Sequence, residues 1–241
     1  FGDLTVFKKF KKKSTNKKIY YKKILDLLLK IKKIKIKSQK TFLKTNYKIP
    51  NYSSKMLFDE ANLFIDWYLP EYYKEKNIKT IKKKFKFLFK NLLKNISYKK
   101  KVFVHRDFHI SNIMITPNGL GLIDNQDAVY GNIAYDLASL IDDVRFRTNI
   151  KIKNYIFNEF IKKNKSLDCK KFKQDFEILS VLRNFKIIGI FTRLSVRDKK
   201  HKYLKLIPYA WQMINNRSVN NPIFDDLNNL LSKYFHKKFE H

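Results

Sequence analysis

His105-Arg106-Asp107-Phe108-His109-Ile110-Ser111-Asn112, followed at a short distance by Leu122-Ile123-Asp124, is the stretch that organises this sequence. It stands where the residue pattern changes. Just before it, Val102-Phe103-Val104 is a short run of β-type residues. Just after it, Ile113–Thr116 and Leu120–Ile123 are two more, separated by Pro117-Asn118-Gly119. That tripeptide is a turn signal, because Pro fixes φ and Asn-Gly tolerates positive φ. The local prediction is a β-hairpin set into the chain.

Both sides of this unit read as helical. Upstream, residues 17–36 carry Ile19, Ile24, Leu27, Leu28, Ile31 and Ile34 near helical spacing, with lysines between them. Residues 38–55 are polar, contain Pro50 and read as a loop. Residues 56–69 form a helix stopped by Pro70, with Leu57, Phe64 and Trp67 on its apolar stripe and Glu60 on the same face. Residues 79–96 are amphipathic. Downstream of Gly131 the expected helices are 135–146, 152–164, 170–196, 203–215 and 223–236. No internal repeat or clean linker is evident. The expected class is α+β, one mostly helical lobe with a small embedded hairpin.

The chemistry follows from residue types and spacing. A His-Arg-Asp triplet with an Asn five positions after the Asp is the catalytic-loop pattern of phosphoryl transfer. That reaction needs a carboxylate to receive a hydroxyl proton, and oxygen ligands for the Mg²⁺ that gathers nucleotide phosphates. Asp107 fits the first need, Asn112 and Asp124 the second. With the turn centred on Asn118, the expected cross-strand pairs are 116–120, 115–121, 114–122 and 113–123. The next pair outward is 112–124, which puts both metal ligands at the open end of one hairpin.

Composition narrows the classes. The 241 residues carry 53 Lys plus Arg against 21 Asp plus Glu, a formal net charge of +32. A strongly basic chain invites a nucleic-acid or membrane-surface reading. Only seven of those cations are Arg, however. Phosphate and base recognition favours Arg for its planar fork. Lys, Asn, Ile, Phe and Tyr are abundant while Gly and Pro number five each, the signature of an AT-rich coding sequence. Nucleic acid is therefore not an expected partner. No apolar run approaches the ~20 residues that span a bilayer, so no stable membrane insertion is expected. The single Cys169 excludes an internal disulfide. No basic-then-apolar leader precedes the first helix, and a cytoplasmic location is expected.

At these motifs the sequence resembles the aminoglycoside phosphotransferase/choline kinase superfamily. Within it, the chain is most similar to the bacterial anomeric sugar kinases of N-acetylmuramate and N-acetylglucosamine. The matching stretches are Phe58–Leu69, Val104–Met114, Gly121–Leu140 and Ile188–Tyr203. The resemblance implies a protein-kinase-like fold and ATP-dependent phosphorylation of a sugar hydroxyl, the anomeric C1-OH, in cell-wall recycling. It implies ATP and Mg²⁺ as cofactors, Asp107 as catalytic base, and Asn112 and Asp124 as metal ligands. Asp127 matches a second acidic position near metal or substrate. Asp136 matches a buried carboxylate that braces the catalytic loop, and His105 a packing residue of the same loop.

Two departures stand out. Asn125 replaces the aromatic that usually follows the metal-binding Asp. The chain also has no glycine-rich loop, and Phe1-Gly2-Asp3-Leu4 resembles the segment just after the hinge between lobes. Residues 1–13 are thus read as a post-hinge segment and 1–241 as the C-terminal catalytic and substrate-binding lobe. The N-terminal ATP-covering lobe, with most nucleotide contacts, would be largely missing, leaving half of an ATP site.

Further candidates keep two readings each. Glu60 and Trp67 read as sugar-binding residues, or as a lysine-paired carboxylate and a core aromatic. Arg147, like Arg145, reads as a carboxylate-recognising residue or an intramolecular partner of Asp142-Asp143. Arg193 and Arg197 face a substrate cleft or close a salt-bridge cluster. Rival activities are kinases of aminoglycosides, choline or homoserine. A protein kinase is disfavoured, since Asp124-Asn125-Gln126 replaces Asp-Phe-Gly and no Ala-Pro-Glu follows. A non-enzymatic rival is a basic pseudokinase-like or RNA-associated protein.

Overall fold

The computed structural model describes residues 4–12, 14–35, 39–40, 46–74 and 76–235. In chain order the helices and strands are α1 (Val6–Phe10), α2 (Lys17–Ile31), β1 (Gln39–Lys40), β2 (Asn46–Tyr47) and α3 (Ser54–Leu63). A π-helical turn, Phe64–Tyr68, leads into α4 (Leu69–Tyr72) and then α5 (Ile78–Lys94). Next come β3 (Lys101–Val104), β4 (Ile113–Thr116), β5 (Gly119–Leu122), β6 (Val129–Asn132), α6 (Tyr135–Ile141), α7 (Ile150–Lys162) and α8 (Cys169–Val196). A 3-10 turn, His201–Leu206, precedes α9 (Ile207–Ser218), and another, Pro222–Phe224, precedes α10 (Asp225–Phe235). The architecture is α+β, helix-dominated with small antiparallel strand pairs. Phe1–Asp3 and Lys13, part of the expected post-hinge segment, lie outside the described residues.

The chain divides into two compact units. The first comprises Phe1–Tyr52 and Tyr98–Phe172, the second Ser53–Ser97 and Lys173–His241.

In the first unit β3 pairs antiparallel with β6, and β4 with β5. Leu4 and Thr5 run beside β4: the Ile115 N–H donates to Leu4 O (2.8 Å), and Thr5 bridges to Met114. Thr5 then caps α1, its side-chain oxygen accepting from the Lys8 N–H. Asn16 caps α2 in the same way. Helix α2 buries Tyr21, Ile24, Leu25, Leu28 and Ile31, one stripe of a 3.6-residue period. Phe10 packs edge-on to Tyr20 and Tyr21 and tilted against Phe146, closing an aromatic cluster.

In the second unit Phe64 is the hub. Its ring contacts Tyr68, Phe85, Phe185 and Trp211 at centroid distances of 4.8–5.6 Å. Helix α8 carries apolar residues on nearly every side, and they are buried (Phe176, Leu179, Leu182, Phe185, Ile188). Pro70 does not stop its helix as expected. The π turn widens the backbone just upstream, with the Leu69 N–H reaching back to Phe64 O, and Pro70 sits in the first turn of α4.

Candidate active site

The hairpin forms one residue out of the expected register. Observed pairs are Thr116–Gly119, Ile115–Leu120, Met114–Gly121 and Ile113–Leu122. The turn is the two-residue Pro117-Asn118, and the positive φ falls on Gly119 (122°). Asn112 consequently faces Ile123, whose N–H donates to Asn112 O (3.1 Å). A one-residue slip turns a strand side chain to the opposite face. Asp124 nevertheless reaches Asn112: its φ is 68°, so the pleat breaks there, and Asn112 Nδ2 lies 3.5 Å from Asp124 Oδ2.

The loop ahead of the hairpin is held from inside. Asp136, in the first turn of α6 and 1% exposed, accepts from the His105 N–H (2.8 Å) and the Arg106 N–H (3.0 Å). Two adjacent amides meet one carboxylate because Arg106 takes positive φ, 73°. His105, fully buried, contacts Ile123 O through Nε2 (3.0 Å). A carbonyl only accepts, so the proton resides on Nε2. His105 and Asn112 thereby fix the backbone of Ile123 from both sides. Burial pushes the Asp136 carboxyl above the usual carboxylate range, opposed by the His105 N–H, by the charges of His105 and Lys32, and by the Arg106 N–H. Lys32 is the counterpart. Its Nζ is buried without a hydrogen-bond acceptor, 4.0 Å above the Phe160 ring. Burial pulls its ammonium down to about 7, with Asp136 pulling the other way.

Asp107 is half-exposed. Its backbone oxygen accepts from Asn112 Nδ2 (3.1 Å) and the His109 N–H (3.0 Å), so the loop folds back on the residue that carries the carboxylate. With Nδ2 engaged there, Asn112 would have Oδ1 to offer a metal ion. Gln126 Nε2 donates to Asp124 Oδ1 at 2.7 Å. The donors are thus one carboxylate and one amide oxygen. Among the described residues no group of three or more His, Cys, Asp or Glu is placed to hold a metal. So sparse an all-oxygen set fits Mg²⁺, which keeps waters and binds through one or two carboxylates plus substrate phosphates.

The other candidates divide between the units. Asp127 is exposed, with Arg106 Nη1 4.0 Å from its Oδ1. Arg147 is exposed in the first unit, and Arg145 Nη1 lies 3.6 Å from Asp143 Oδ1. His109 is 4% exposed, a packing position. Glu60 and Trp67 belong to the second unit. Glu60 is half-buried and paired with Lys186 at 3.0 Å, while Trp67 lies half-buried in the π turn. Arg197 forms a double hydrogen bond with Asp198 (2.6 and 3.0 Å). The sequence reading missed Gln126, Lys32 and Tyr52. Only Gln126, two residues from a motif Asp, carried a local signal.

The phosphotransferase enzyme family model matches residues 20–158, more than half of the chain. An N-acetylmuramate/N-acetylglucosamine kinase of Neisseria meningitidis is 33% identical over 167 residues, covering 66% of this chain and 50% of the relative. The enzyme of the same name from Pseudomonas aeruginosa is 28% identical over 190 residues, covering 76% and 56%. The chain thus spans about half the length of the curated relatives it matches. In fold it is similar to an ethanolamine kinase of Plasmodium vivax (TM-score 0.55, 11% identity, 83% of this chain and 60% of that one). It is also similar to an amicoumacin kinase in complex with AMP-PNP and Ca²⁺ (TM-score 0.54, 15% identity, 89% and 63%).

Proposed function

Since the chain belongs to the phosphotransferase enzyme family, we propose that it is the catalytic part of an ATP-dependent kinase of a small sugar, with Asp107 as the base. The acceptor is the anomeric C1-OH of N-acetylmuramate or N-acetylglucosamine, and the product enters cell-wall recycling. Support for the acceptor comes from the relatives of that name. Support for the chemistry comes from one cluster: the Asp107 loop closed by the Asn112 side chain, with Asp124 3.5 Å from the same amide.

In this reading the acceptor hydroxyl hydrogen-bonds to the Asp107 carboxylate, which takes the proton as the γ-phosphoryl group leaves ATP. The proton moves late in a loose transition state, so positioning matters more than base strength. Mg²⁺ held by Asn112 Oδ1 and Asp124 would offset charge on the phosphate oxygens. Asp136 holds the loop backbone, and His105 holds the strand that leads to Asp124. Asp127 lies on the solvent side of this cluster and is proposed to meet substrate or metal-bound water. Arg147 is proposed for the lactyl carboxylate of muramate. In this reading the chain is proposed as the C-terminal lobe of a protein-kinase-like arrangement, with an N-terminal lobe proposed to cover the nucleotide.

An acceptor panel with radiolabelled ATP tests this. It is run on the chain extended at its N-terminus by the corresponding portion of the Neisseria meningitidis relative. N-acetylmuramate and N-acetylglucosamine should be phosphorylated, and Asp107→Asn should lose several orders of magnitude in turnover with little change in nucleotide affinity. Turnover of an aminoglycoside, choline or homoserine without the N-acetylated sugars would overturn the acceptor. Near-normal activity of Asp107→Asn would remove the base.

A further inference from the structure

Arg106 occupies left-handed backbone, φ 73°. A side chain there is strained, and such strain persists only where the surroundings hold it. Glycine would supply the same backbone, with both amides still directed at Asp136, without strain. The Arg106 side chain must therefore contribute something the loop backbone does not.

Its contacts are specific. Nη1 donates to Asp127 O at 3.1 Å and lies 4.0 Å from Asp127 Oδ1. The guanidinium stands 5.4 Å over the ring of Tyr52. That ring is itself fixed. The Tyr52 N–H donates to Tyr130 O (2.7 Å), the Tyr130 N–H donates to Pro50 O (2.8 Å), and the ring packs edge-on to Tyr135 at 4.9 Å. Gly131 makes room for it: a Cβ there would come within 3.0 Å of Tyr52 Cβ. The carbonyl that Arg106 grips belongs to the turn after Asp124. The Ala128 N–H donates to Asn125 O (3.2 Å) to close that turn, and Gln126 within it holds Asp124 Oδ1 at 2.7 Å.

We propose that Arg106 is a positioning residue: seated on the Tyr52 ring, its guanidinium clamps the 124–128 turn to the catalytic loop so that Asp124 is presented beside Asn112. Strain at position 106 and the seat built for Tyr52 are both explained by this clamp. Its catalytic consequence rests on the phosphotransfer reading; the mechanical clamp does not.

The test compares Arg106→Gly, Arg106→Lys and Tyr52→Leu with the wild-type chain by thermal unfolding and amide hydrogen exchange. In Arg106→Gly, relief of strain offsets lost contacts, so Tm should stay within about 3 °C of wild type. Exchange in residues 125–128 should nonetheless rise about tenfold, the loss of one hydrogen bond from a charged donor. Arg106→Lys keeps the strain and lacks the planar fork, so it should show the same local exchange with a lower Tm. Tyr52→Leu should loosen the same turn. Unchanged exchange in that turn in Arg106→Gly overturns the clamp. So does an increase spread evenly over the first unit in step with a fall in Tm. In the N-terminally extended protein, Arg106→Gly should lower kcat about tenfold at unchanged acceptor KM and raise the Mg²⁺ requirement; equal kcat at equal Mg²⁺ overturns the catalytic consequence. Absence of turnover in the wild type defeats the phosphotransfer reading alone, since exchange still decides the clamp.

Discussion

Asn112 and Asp124 come within 3.5 Å of each other although they are not partners across the hairpin. Asn112 faces Ile123, and positive φ at Asp124 returns the carboxylate to the face that Asn112 occupies. The contact depends on a backbone conformation that most residues avoid, while both side chains stay accessible to a third group.

Asp124→Asn should therefore separate function from stability. Asn tolerates the positive φ of this position and the residue is exposed, so unfolding should shift by less than about 0.5 kcal/mol. Phosphotransfer should drop about 100-fold or more, with a raised Mg²⁺ requirement. A large fall in Tm with proportionate activity would assign Asp124 a structural role instead.

Asp136→Ala should do the opposite. It leaves the N–H groups of His105 and Arg106 buried without their acceptor. Each orphaned donor costs about 1–3 kcal/mol. Urea unfolding should show a loss of that order, with fast exchange at both amides. Asp136→Asn keeps one acceptor oxygen and should fall between. Wild-type stability in the Ala variant would mean that the brace carries no load.

Lys32 predicts a pH signature. Its ammonium is pulled from 10.5 to about 7 in the folded chain. Between those values the unfolded chain binds the extra proton, so this group's contribution to stability rises as pH increases from about 7 toward 10.5. Below that window the buried charge opposes folding in full. Lys32→Met should be more stable than wild type at pH 6.5, with the advantage shrinking by pH 9. Parallel stability curves for the two proteins would contradict this.

Lys153 and Asp142 form a buried pair at 2.7 Å, 3% and 1% exposed, and Lys153 Nζ also reaches Ile141 O (2.6 Å). Lys153→Met alone should cost about 3–5 kcal/mol, because Asp142 keeps its charge in the interior without the ammonium. Lys153→Met combined with Asp142→Leu should recover most of that. A double variant as unstable as the single one would show that the cost lies in packing, not charge.

Much of this was legible from residue order. Periodicity located α2, α5, α7 and α8 to within about five residues at either end, and α+β followed from the strand runs read at 102–104, 113–116 and 120–123, which form at 101–104, 113–116 and 119–122. Strand β6 escaped notice because Val129–Asn132 contains Gly131 and shows no alternation; pairing with β3 makes it a strand. The helix over 56–69 runs on past Pro70 through a π turn, which has no period of its own in sequence.

The candidate site divides along the same line. Sequence alone determined which groups are the candidates for the chemistry, since Asp107, Asn112 and Asp124 are recognisable by type and spacing within one local unit. Only the tertiary structure decided how they meet. The register, positive φ at Arg106 and Asp124, and the hold of Asp136, Gln126 and Tyr52 on the loops all depend on partners distant in sequence or on single backbone angles, neither of which leaves a periodic trace.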